Sequence, residues 1–303
     1  MKILNMCDAD YTGGAYRLVE AVNRETKHEA RHMCMVHHPF GYPVGVQTRD
    51  PDVVRGLVEW ADIVNVHATF RPLRVGGMEE LRPPNLMITH RGRYYRRNSK
   101  HVNASAAGRG VKRQLCSTAD LTQYGPVIWM PTAIPQDRYK ALRKKRRHSS
   151  ELPIVCQAPS NPRMKRTDEV RELLGGRTDI RLMIVSGRHH DVVMRRIAKA
   201  TIFVDRFRIG LGTGGLEAAA MGIPVIAWAD QADEACILRE VGYLPYYKST
   251  MEDLPVAVDD LLSSPSLYSE YAERGQEYIR TFHDYPAIAR RYVTICEEIV
   301  GGV

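Results

Sequence analysis

The stretch 210–225, which reads GLGTGGLEAAAMGIPV, indicates how this chain folds. It lies between two apolar runs, TIFVDRF at 201–207 and IPVIAWA at 223–229, that are typical of buried strands. Glycines and a threonine open a helix here, and Gly222 and Pro224 end it. A strand, a glycine-rich turn, a helix and a second strand in this order predict one unit of a parallel sheet.

The start of this helix is also a candidate anion site. Glycines let a ligand approach the main chain closely, and a helix N-terminus offers unpaired N–H groups and a partial positive charge. We therefore predict that Gly212, Thr213 and Gly214 bind a diphosphate through their main-chain N–H groups. Glu217, in the first turns of the helix, is placed to hydrogen-bond a ribose diol.

The same alternation of strands and helices extends along the rest of the chain. The apolar run KILNMC at 2–7 leads into the turn Thr12-Gly13-Gly14 and then into a helical pattern. This alternation, repeated to the C-terminus, predicts an α/β protein of two Rossmann-like, doubly wound domains. Each domain would place its ligand at the carboxyl ends of its strands, so we expect a cleft between the two.

The domain boundary is predicted from a charged segment with little core-forming content. The segment RYKALRKKRRHSSELP at 138–153 ends with Ser-Ser and Pro, the boundary lies near 141–152, and the strand pattern PIVCQAPS begins at Pro153. We therefore place an N-terminal Rossmann-like domain at 1–145 and a C-terminal one at 146–303. The helical C-terminal segment is expected to pack back across the cleft.

Composition excludes several classes of protein. Hydrophobic residues make up 44% of the chain and charged residues 26%, which is typical of globular proteins. The N-terminal apolar run is too short for a signal peptide, and no run approaches the roughly 18 apolar residues of a membrane span. The six scattered cysteines form no C-x-x-C pair, so we expect reduced thiols in a cytoplasmic protein and no metal site. Adjacent side chains are expected to point apart, so the pairs His37-His38 and His189-His190 also argue against a metal.

The positive charge is concentrated in two segments. Residues 91–113 carry eight Lys or Arg and residues 138–148 carry seven, with no acidic residue in either segment, whereas the net charge is +8. The rest of the chain holds 28 basic and 35 acidic residues and is acidic. Such a distribution attracts nucleic acid, an anionic membrane surface or a phosphorylated substrate, although two solvated loops are the alternative.

The stretch 210–225 resembles the nucleotide-sugar site of retaining GT-B glycosyltransferases, whose helix reads roughly Gly and then Leu-Glu-Ala-Met-Ala-x-Gly-x-Pro-Val. Further segments resemble the family in order along nearly the whole chain: DIVNVH at 62–67, ITHRG at 88–92, CSTADL at 116–121, WMPTAIP at 129–135 and APSNPRMKRT at 158–167. The resemblance implies a GT-B fold and a transferase that uses a nucleotide-diphosphate sugar without a metal. The short chain is similar to compact phage-type enzymes.

The resemblance also implies roles for individual residues. Lys165 would neutralise the departing diphosphate, Arg163 would assist it, and His90 would orient the sugar. The donor-binding set implied by the resemblance comprises Gly13, Gly14, Ser160, Asn161, Gly212, Thr213, Gly214 and Glu217. Ile209 departs from the family, which often has a second glutamate there that contacts the donor sugar, so the donor sugar stays open.

The acceptor is predicted from the basic segment that follows His90. Arg and Tyr alternate there in a way that suits phosphates and an exposed base, in the residues Arg91, Arg93, Tyr94, Tyr95, Arg96 and Arg97. We expect a nucleic-acid acceptor, such as a hydroxymethylated pyrimidine that is extruded from DNA. A cell-envelope saccharide or lipid at an anionic membrane surface is the alternative acceptor.

The sequence leaves two other classes of protein as alternatives. A binding protein that kept this fold and lost activity is favoured by Ile209 and opposed by Lys165 and Glu217. The second alternative is a sugar-nucleotide epimerase with the same two-domain shape.

Overall fold

The structure is a computed structural model of the 303-residue chain, and it describes residues 1–10, 12–37, 40–75, 80–144 and 152–302. The chain forms two α/β units. The first consists of Met1–Ala133 and Tyr285–Val303, and the second of Ile134–Asp284. The predicted α/β class is therefore confirmed. Residues 134–145 and the last helix belong to the opposite units from those in which the sequence analysis places them.

The first unit is built on a seven-stranded sheet in the order β3-β2-β1-β4-β5-β6-β7, and all its described pairings are parallel. Its strands are β1 (Lys2–Cys7), β2 (Glu29–Cys34), β3 (Val46–Gln47), β4 (Ile63–His67), β5 (Leu86–His90), β6 (Arg113–Cys116) and β7 (Ile128–Trp129). Its helices are α1 (Gly14–Glu25), α2 (Pro51–Trp60), α3 (Gly92–Gly108) and α11 (Tyr285–Gly301).

The second unit is built on a five-stranded parallel sheet in the order β12-β11-β10-β8-β9. Its strands are β8 (Ile154–Gln157), β9 (Arg181–Ile184), β10 (Ile202–Arg208), β11 (Val225–Ala229) and β12 (Tyr247–Lys248). Its helices are α4 (Gln136–Lys144), α5 (Thr167–Leu174), α6 (His190–Ile197), α7 (Thr213–Ala220), α8 (Gln231–Val241), α9 (Leu254–Ser263) and α10 (Pro265–Tyr278).

Local sequence explains where the helices begin. The side chain of Asp50 accepts the main-chain N–H groups of Asp52 and Val53, and Pro51 occupies the first helical position of α2. Ser264 and Pro265 start α10 in the same way. Such caps satisfy N–H groups that have no partner inside the helix.

Two segments that the sequence analysis treats as charged surface are helical. Residues 92–108 form α3, in which Asn98 has non-helical dihedral angles and marks a kink. Residues 136–144 form α4, although they lie largely in the stretch expected to be a linker. The rest of the predicted boundary, at 145–151, lies outside the described residues.

Each sheet buries its strands between helices. In the first unit, α1 and α11 pack on one face of the sheet, where Ile288 and Tyr292 join Ile3 and Ile63 in a single core. In the second, α5 and α9 pack against β8, β10 and β11. Every residue of β4 and β5 is buried, as expected for parallel strands that are covered on both faces.

The strand orders determine where a ligand can bind. In the first sheet β2 and β4 flank β1, and in the second β9 and β10 flank β8, so the direction of winding reverses beside β1 and beside β8. Loops that leave neighbouring strands at such a switch point diverge and leave a crevice. The predicted motifs follow these strands: Gly13 follows β1, Lys165 follows β8 and Gly212 follows β10.

Across the described parts of the chain, no helix combines the length and the hydropathy needed to cross a membrane.

Candidate active site

The start of α7 in the second unit, which the sequence predicts to bind a diphosphate, lies against a carboxylate of the chain itself. Gly212 is the N-cap residue of α7, and its N–H donates to a carboxylate oxygen of Asp205 at 2.5 Å. Asp205 is fully buried. Its carboxylate therefore lies against the helix end at which negative charge is stabilised.

Lys165 binds the same carboxylate. Its ammonium group donates to the other oxygen of Asp205 in an ion pair, and the Lys165 side chain is 12% exposed. Lys165 lies in the loop after β8, and Asp205 lies on the neighbouring strand β10. An ammonium has three N–H donors, so two remain for a ligand after Asp205 has taken one. The predicted lysine is thus held at the carboxyl ends of β8 and β10.

A bulge in β10 allows this arrangement. The pairing of β10 with β11 shifts register between Val204 and Phe207, which places Asp205 and Arg206 in the irregular segment. Arg206 donates to the carbonyl oxygen of Leu211 at 2.6 Å and fixes the turn that precedes α7. Bulges commonly redirect a side chain near a functional site.

The glycines of this turn are required by close approaches inside the protein. Gly210 has a φ of +66°, a left-handed conformation that favours glycine. A Cβ atom on Gly215 would lie 2.3 Å from a carboxylate oxygen of Asp205, and one on Gly212 would lie 3.2 Å from the guanidinium of Arg206. The glycine-rich sequence therefore accommodates Asp205 and Arg206 in addition to leaving the helix start open.

Glu217 is buried within α7 and holds two neighbouring side chains. The hydroxyl of Tyr139 donates to its Oε1 at 3.1 Å, and Nε2 of His190 donates to the same oxygen at 2.8 Å. Only 2% of Glu217 is exposed. The carboxylate has oxygen lone pairs beyond these two bonds, and the predicted ribose contact stays a prediction.

The loop after β8 carries the other predicted donor residues. Ser160, Asn161 and Arg163 are exposed there, and the side chain of Asn161 accepts the N–H of Met164 at 3.1 Å. Arg166 has a φ of +51°, so the chain turns sharply immediately after Lys165 and α5 begins. Ile209 bridges Ala229 of β11 through its main chain.

The Gly13-Gly14 turn lies at the switch point of the first unit, and its glycines also contact side chains. A Cβ on Gly13 would lie 2.3 Å from the ring of Tyr42, and one on Gly14 would lie 2.9 Å from Nη2 of Arg91. Buried Asp10 supports the turn, because its carbonyl oxygen accepts the N–H of Gly13 at 2.9 Å. Close packing inside the protein accounts for both glycines, and their role in donor binding stays a prediction.

Arg91 is bound inside the first unit. Its Nη1 donates to Asp10 at 2.8 Å, and its Nη2 donates to Nδ1 of His67 at 3.1 Å. Because His67 accepts at Nδ1, its Nε2 carries the proton and donates to Asn5 at 2.9 Å. Arg91, predicted to bind an acceptor, instead joins the beginning of α3 to the Gly13 turn.

His90 is held in place by two neighbours. Its ring stacks on Tyr95 with 4.1 Å between centroids, and its Nε2 donates to the side-chain oxygen of Gln114 at 2.7 Å. Burial lowers the pKa of His90, and the hydrogen bond to Gln114 only partly opposes this, so the neutral ring is favoured. A sugar contact by His90 stays a prediction.

The predicted acceptor residues divide into exposed and bound groups. Tyr94 is 56% exposed and Arg97 is exposed, so both are available to a partner. The assignment of Tyr95 to base stacking is wrong, because its ring is buried on His90 and its hydroxyl donates to Asn103. Arg96 is paired with buried Asp120 at 2.5 Å. The side chain of Arg93 lies outside what the structure describes.

Several residues of the site were not predicted. Asp205 has no predicted role, and His190 enters the sequence analysis only in a pair that argues against a metal. The signal for Asp205 was a carboxylate inside an otherwise apolar strand, because a buried charge requires a partner. Tyr139 lies in the charged segment that is predicted to be a linker, and its sequence context does not indicate a buried residue.

By sequence the chain matches no protein-family model and no curated protein. By structure its fold is that of the GT-B glycosyltransferases, as predicted. Solved structures with this fold include an alpha-glucosyltransferase in complex with UDP and a DNA 13-mer containing an HMU base, at a TM-score of 0.69 and 10% identity over 99% of both chains. Sucrose-phosphate synthase from Thermosynechococcus elongatus matches at a TM-score of 0.65 and 12% identity over 100% of both chains. A glycosyltransferase from Rickettsia africae matches at a TM-score of 0.61 and 11% identity over 100% of this chain and 99% of the other.

Proposed function

We propose that this chain is a glycosyltransferase that moves a sugar from a nucleotide-diphosphate sugar to a hydroxyl group of DNA. The observation that carries the proposal is the cluster at the carboxyl ends of β8 and β10. There Asp205 joins Lys165 to the start of α7, and Glu217 lies one turn further along that helix. This cluster offers a cation and N–H groups for a diphosphate and a carboxylate for a ribose diol. Solved structures with the same fold contain UDP or UDP-glucose, so we propose a UDP-sugar as the donor.

In the proposed reaction, the bond between C1 of the sugar and the β-phosphate oxygen breaks and C1 bonds to the acceptor oxygen. Negative charge grows on the departing diphosphate, where Lys165 and the N–H groups at the start of α7 stabilise it. The acceptor proton passes to the departing phosphate, so the step needs no separate base. We propose that the anomeric configuration is retained.

Two further features belong to the proposal. Lys165 keeps N–H donors beyond its bond to Asp205, and the start of α7 offers main-chain N–H groups, so we propose that these donors hold the diphosphate without a metal and that omitting Mg²⁺ leaves the rate unchanged. All six cysteines, each within the described residues, are buried and carry free thiols. Free thiols are typical of a reducing compartment, and we propose that the protein acts in the cytoplasm.

The proposal of a DNA acceptor is supported by α3 and by one structural match. Tyr94 and Arg97 are exposed on α3, within the segment 91–113 that carries eight basic residues. Arginine binds phosphate, and an exposed tyrosine can stack on an unpaired base. An alpha-glucosyltransferase of the same fold is bound to DNA containing an HMU base. We therefore propose a hydroxymethylated pyrimidine as the acceptor.

The test is transfer of labelled glucose from UDP-glucose to a DNA duplex that contains 5-hydroxymethyluracil or 5-hydroxymethylcytosine. The same duplex with thymine or cytosine is the matched substrate, and exposed Lys199→Ala is the matched control for Lys165→Ala. We expect label in hydroxymethylated DNA alone, with wild type and Lys199→Ala but not with Lys165→Ala.

The other outcomes are equally informative. Label in lipid vesicles instead of DNA would support the cell-envelope alternative. If no nucleotide sugar raises the melting temperature while DNA alone does, the chain is a binding protein and the catalytic proposal is wrong.

A further inference from the structure

Two cysteines and a histidine that are scattered in the sequence meet at the edge of the first sheet. Cys7 ends β1 and Cys34 ends β2, and the two residues are partners in the parallel register. His32 precedes Cys34 by two positions on β2, so both side chains leave the same face of that strand. All three are buried, with 2% or less of each exposed.

The ligand atoms of these residues are spaced like corners of a tetrahedron. The Cys7 and Cys34 sulfurs are 3.5 Å apart, and Nε2 of His32 lies 3.4 Å from the first and 3.9 Å from the second. A zinc ion with bonds of about 2.3 Å to sulfur and about 2.0–2.1 Å to nitrogen separates tetrahedral ligands by roughly 3.5–3.8 Å. Among the described residues, no other group of His, Cys, Asp and Glu side chains converges within 4.8 Å in this way.

We propose that Cys7, His32 and Cys34 bind a structural zinc ion. Two thiolates and an imidazole form a buried donor set that suits zinc, and tetrahedral coordination leaves one further position to be filled. Asp10 lies beside the site, with Oδ2 3.8 Å from Nε2 of His32. The site belongs to the first unit, whereas the Lys165 cluster belongs to the second.

The charges around the site balance when zinc is bound. Two thiolates neutralise the ion, and Asp10 is already neutralised by Arg91, whose Nη1 lies 2.8 Å away.

Two contacts must change when the metal binds. The thiol of Cys7 donates to the carbonyl oxygen of Met33 at 3.6 Å, and a thiolate ligand loses this weak hydrogen bond. The N–H of Gly45 lies 3.2 Å from Nδ1 of His32, an arrangement that leaves the proton of a neutral imidazole on Nε2. Ligation through Nε2 requires the proton on Nδ1, so this long hydrogen bond is lost. A single neutral hydrogen bond contributes far less free energy than zinc–thiolate bonding does, so replacing the one by the other favours the metal-bound form.

The proposed zinc ion would strengthen the switch point of the first unit. Asp10 accepts the N–H groups of Gly13 and Tyr16 at 2.9 Å each, so it joins the cysteine cluster to the turn that opens α1. A metal here ties the carboxyl ends of β1 and β2 to that turn. We expect the metal-free protein to be less stable, because a ligand that binds only the folded state stabilises it.

The first experiment measures metal in the full chain, purified without a metal-affinity tag from cells grown with added zinc. We expect about one zinc per chain in the wild type and in the control Cys156→Ser, whose cysteine is equally buried in the second unit. Cys34→Ser and Cys7→Ser should each lose the metal. A wild type with less than a tenth of an equivalent of zinc would count against the proposal.

A second measurement guards against a variant that fails to fold. Cobalt titrated into zinc-depleted wild type should give the intense visible absorption of a tetrahedral ion and an ultraviolet thiolate-to-cobalt band, both removed by one equivalent of zinc. The weak spectrum of octahedral cobalt, or formation of a Cys7–Cys34 disulfide under mild oxidation while zinc is present in excess, would overturn the proposal. Neither readout depends on transferase activity.

Discussion

The carboxylate of Asp205 joins the ammonium group of Lys165 to the first N–H of α7, although Lys165 and Asp205 lie 40 residues apart in the chain. The pair is buried, so Asp205 would be left as an isolated charge if the lysine were removed. The same lysine is the cation that we propose for the diphosphate. Lys165 therefore has a structural role and a binding role, which different variants separate.

Lys165→Ala should lower both stability and donor affinity. Breaking a buried ion pair by removing one partner costs about 3–5 kcal/mol, and a hydrogen bond to a charged ligand contributes about 1.5–3 kcal/mol, or roughly tenfold or more in Kd. The free energy of unfolding is measured in urea and the affinity for UDP by calorimetry. The double variant Lys165→Met with Asp205→Asn should recover stability but not UDP binding. Recovery of both would show that Lys165 does not bind the donor.

Gly215→Ala should destabilise the second unit without any ligand present. The new Cβ would lie 2.3 Å from Asp205, and overpacking of this kind costs about 1–3 kcal/mol. Gly176→Ala is the control, since a Cβ there meets no atom within 4 Å. Urea denaturation compares the two variants. Equal stability would mean that α7 can move away from Asp205.

The general fold could be predicted because its signals are local. Short apolar strands, glycine turns and amphipathic helices alternate regularly, and each is readable within about ten residues. The helix α3 was missed because 92–108 is polar and buries few of its side chains, Tyr95, Val102 and Ala106 among them. The helix α4 was missed because 136–144 is highly charged, although Tyr139 within it is buried.

The site could be predicted only where residues are neighbours in sequence. The start of α7 and the lysine after β8 were found, since each motif lies in one loop. The partners of Glu217 were not predicted, because Tyr139 and His190 come from distant elements and meet only after the sheet has formed. The meeting of Cys7 with Cys34 likewise depends on the pairing of β1 with β2.

Glu217→Gln should separate ribose recognition from diphosphate recognition. The substitution keeps the size of the side chain but removes its charge and one acceptor, so we expect UDP to bind about tenfold more weakly or worse. Pyrophosphate has no ribose, and its affinity should be unchanged in Glu217→Gln but lowered in Lys165→Ala. Calorimetry with both ligands checks this. Tyr139→Phe, which removes the hydrogen bond to Glu217 and leaves the ring in place, is the control for altered packing. Equal losses for both ligands would exclude a specific ribose contact.

Acid should destabilise the first unit through His90. Its pKa is lowered from the ordinary 6.5 by burial, so below about pH 6.5 the unfolded chain binds a proton that the folded protein excludes. The free energy of unfolding should be highest above this pH and should fall as the pH drops toward the folded pKa. His67, whose pKa burial also lowers, adds to the effect.

Urea denaturation across this pH range tests the effect. His90→Asn keeps a donor for Gln114 but does not titrate, so it should show a shallower pH dependence than the wild type. His101→Gln replaces an exposed histidine of the same unit and should match the wild type. An unchanged slope in His90→Asn would show that the buried ring does not control acid stability.

Variants on α3 should reveal how DNA binds, because each residue predicts a different signature. Arg97→Ala removes an exposed cation, so the slope of log affinity against log salt should fall by about 0.9. Tyr94→Ala removes an exposed ring, so affinity should fall by about 1–3 kcal/mol at every salt concentration if a base stacks there. Arg96→Ala breaks the pair with buried Asp120 and should lower stability with no change in the salt slope.

Fluorescence anisotropy at several salt concentrations measures the DNA affinity of all three variants, with exposed Arg171→Ala in the second unit as the control. If Arg97→Ala and Arg171→Ala have the same slope, α3 does not bind the DNA backbone, and the acceptor must be recognised elsewhere.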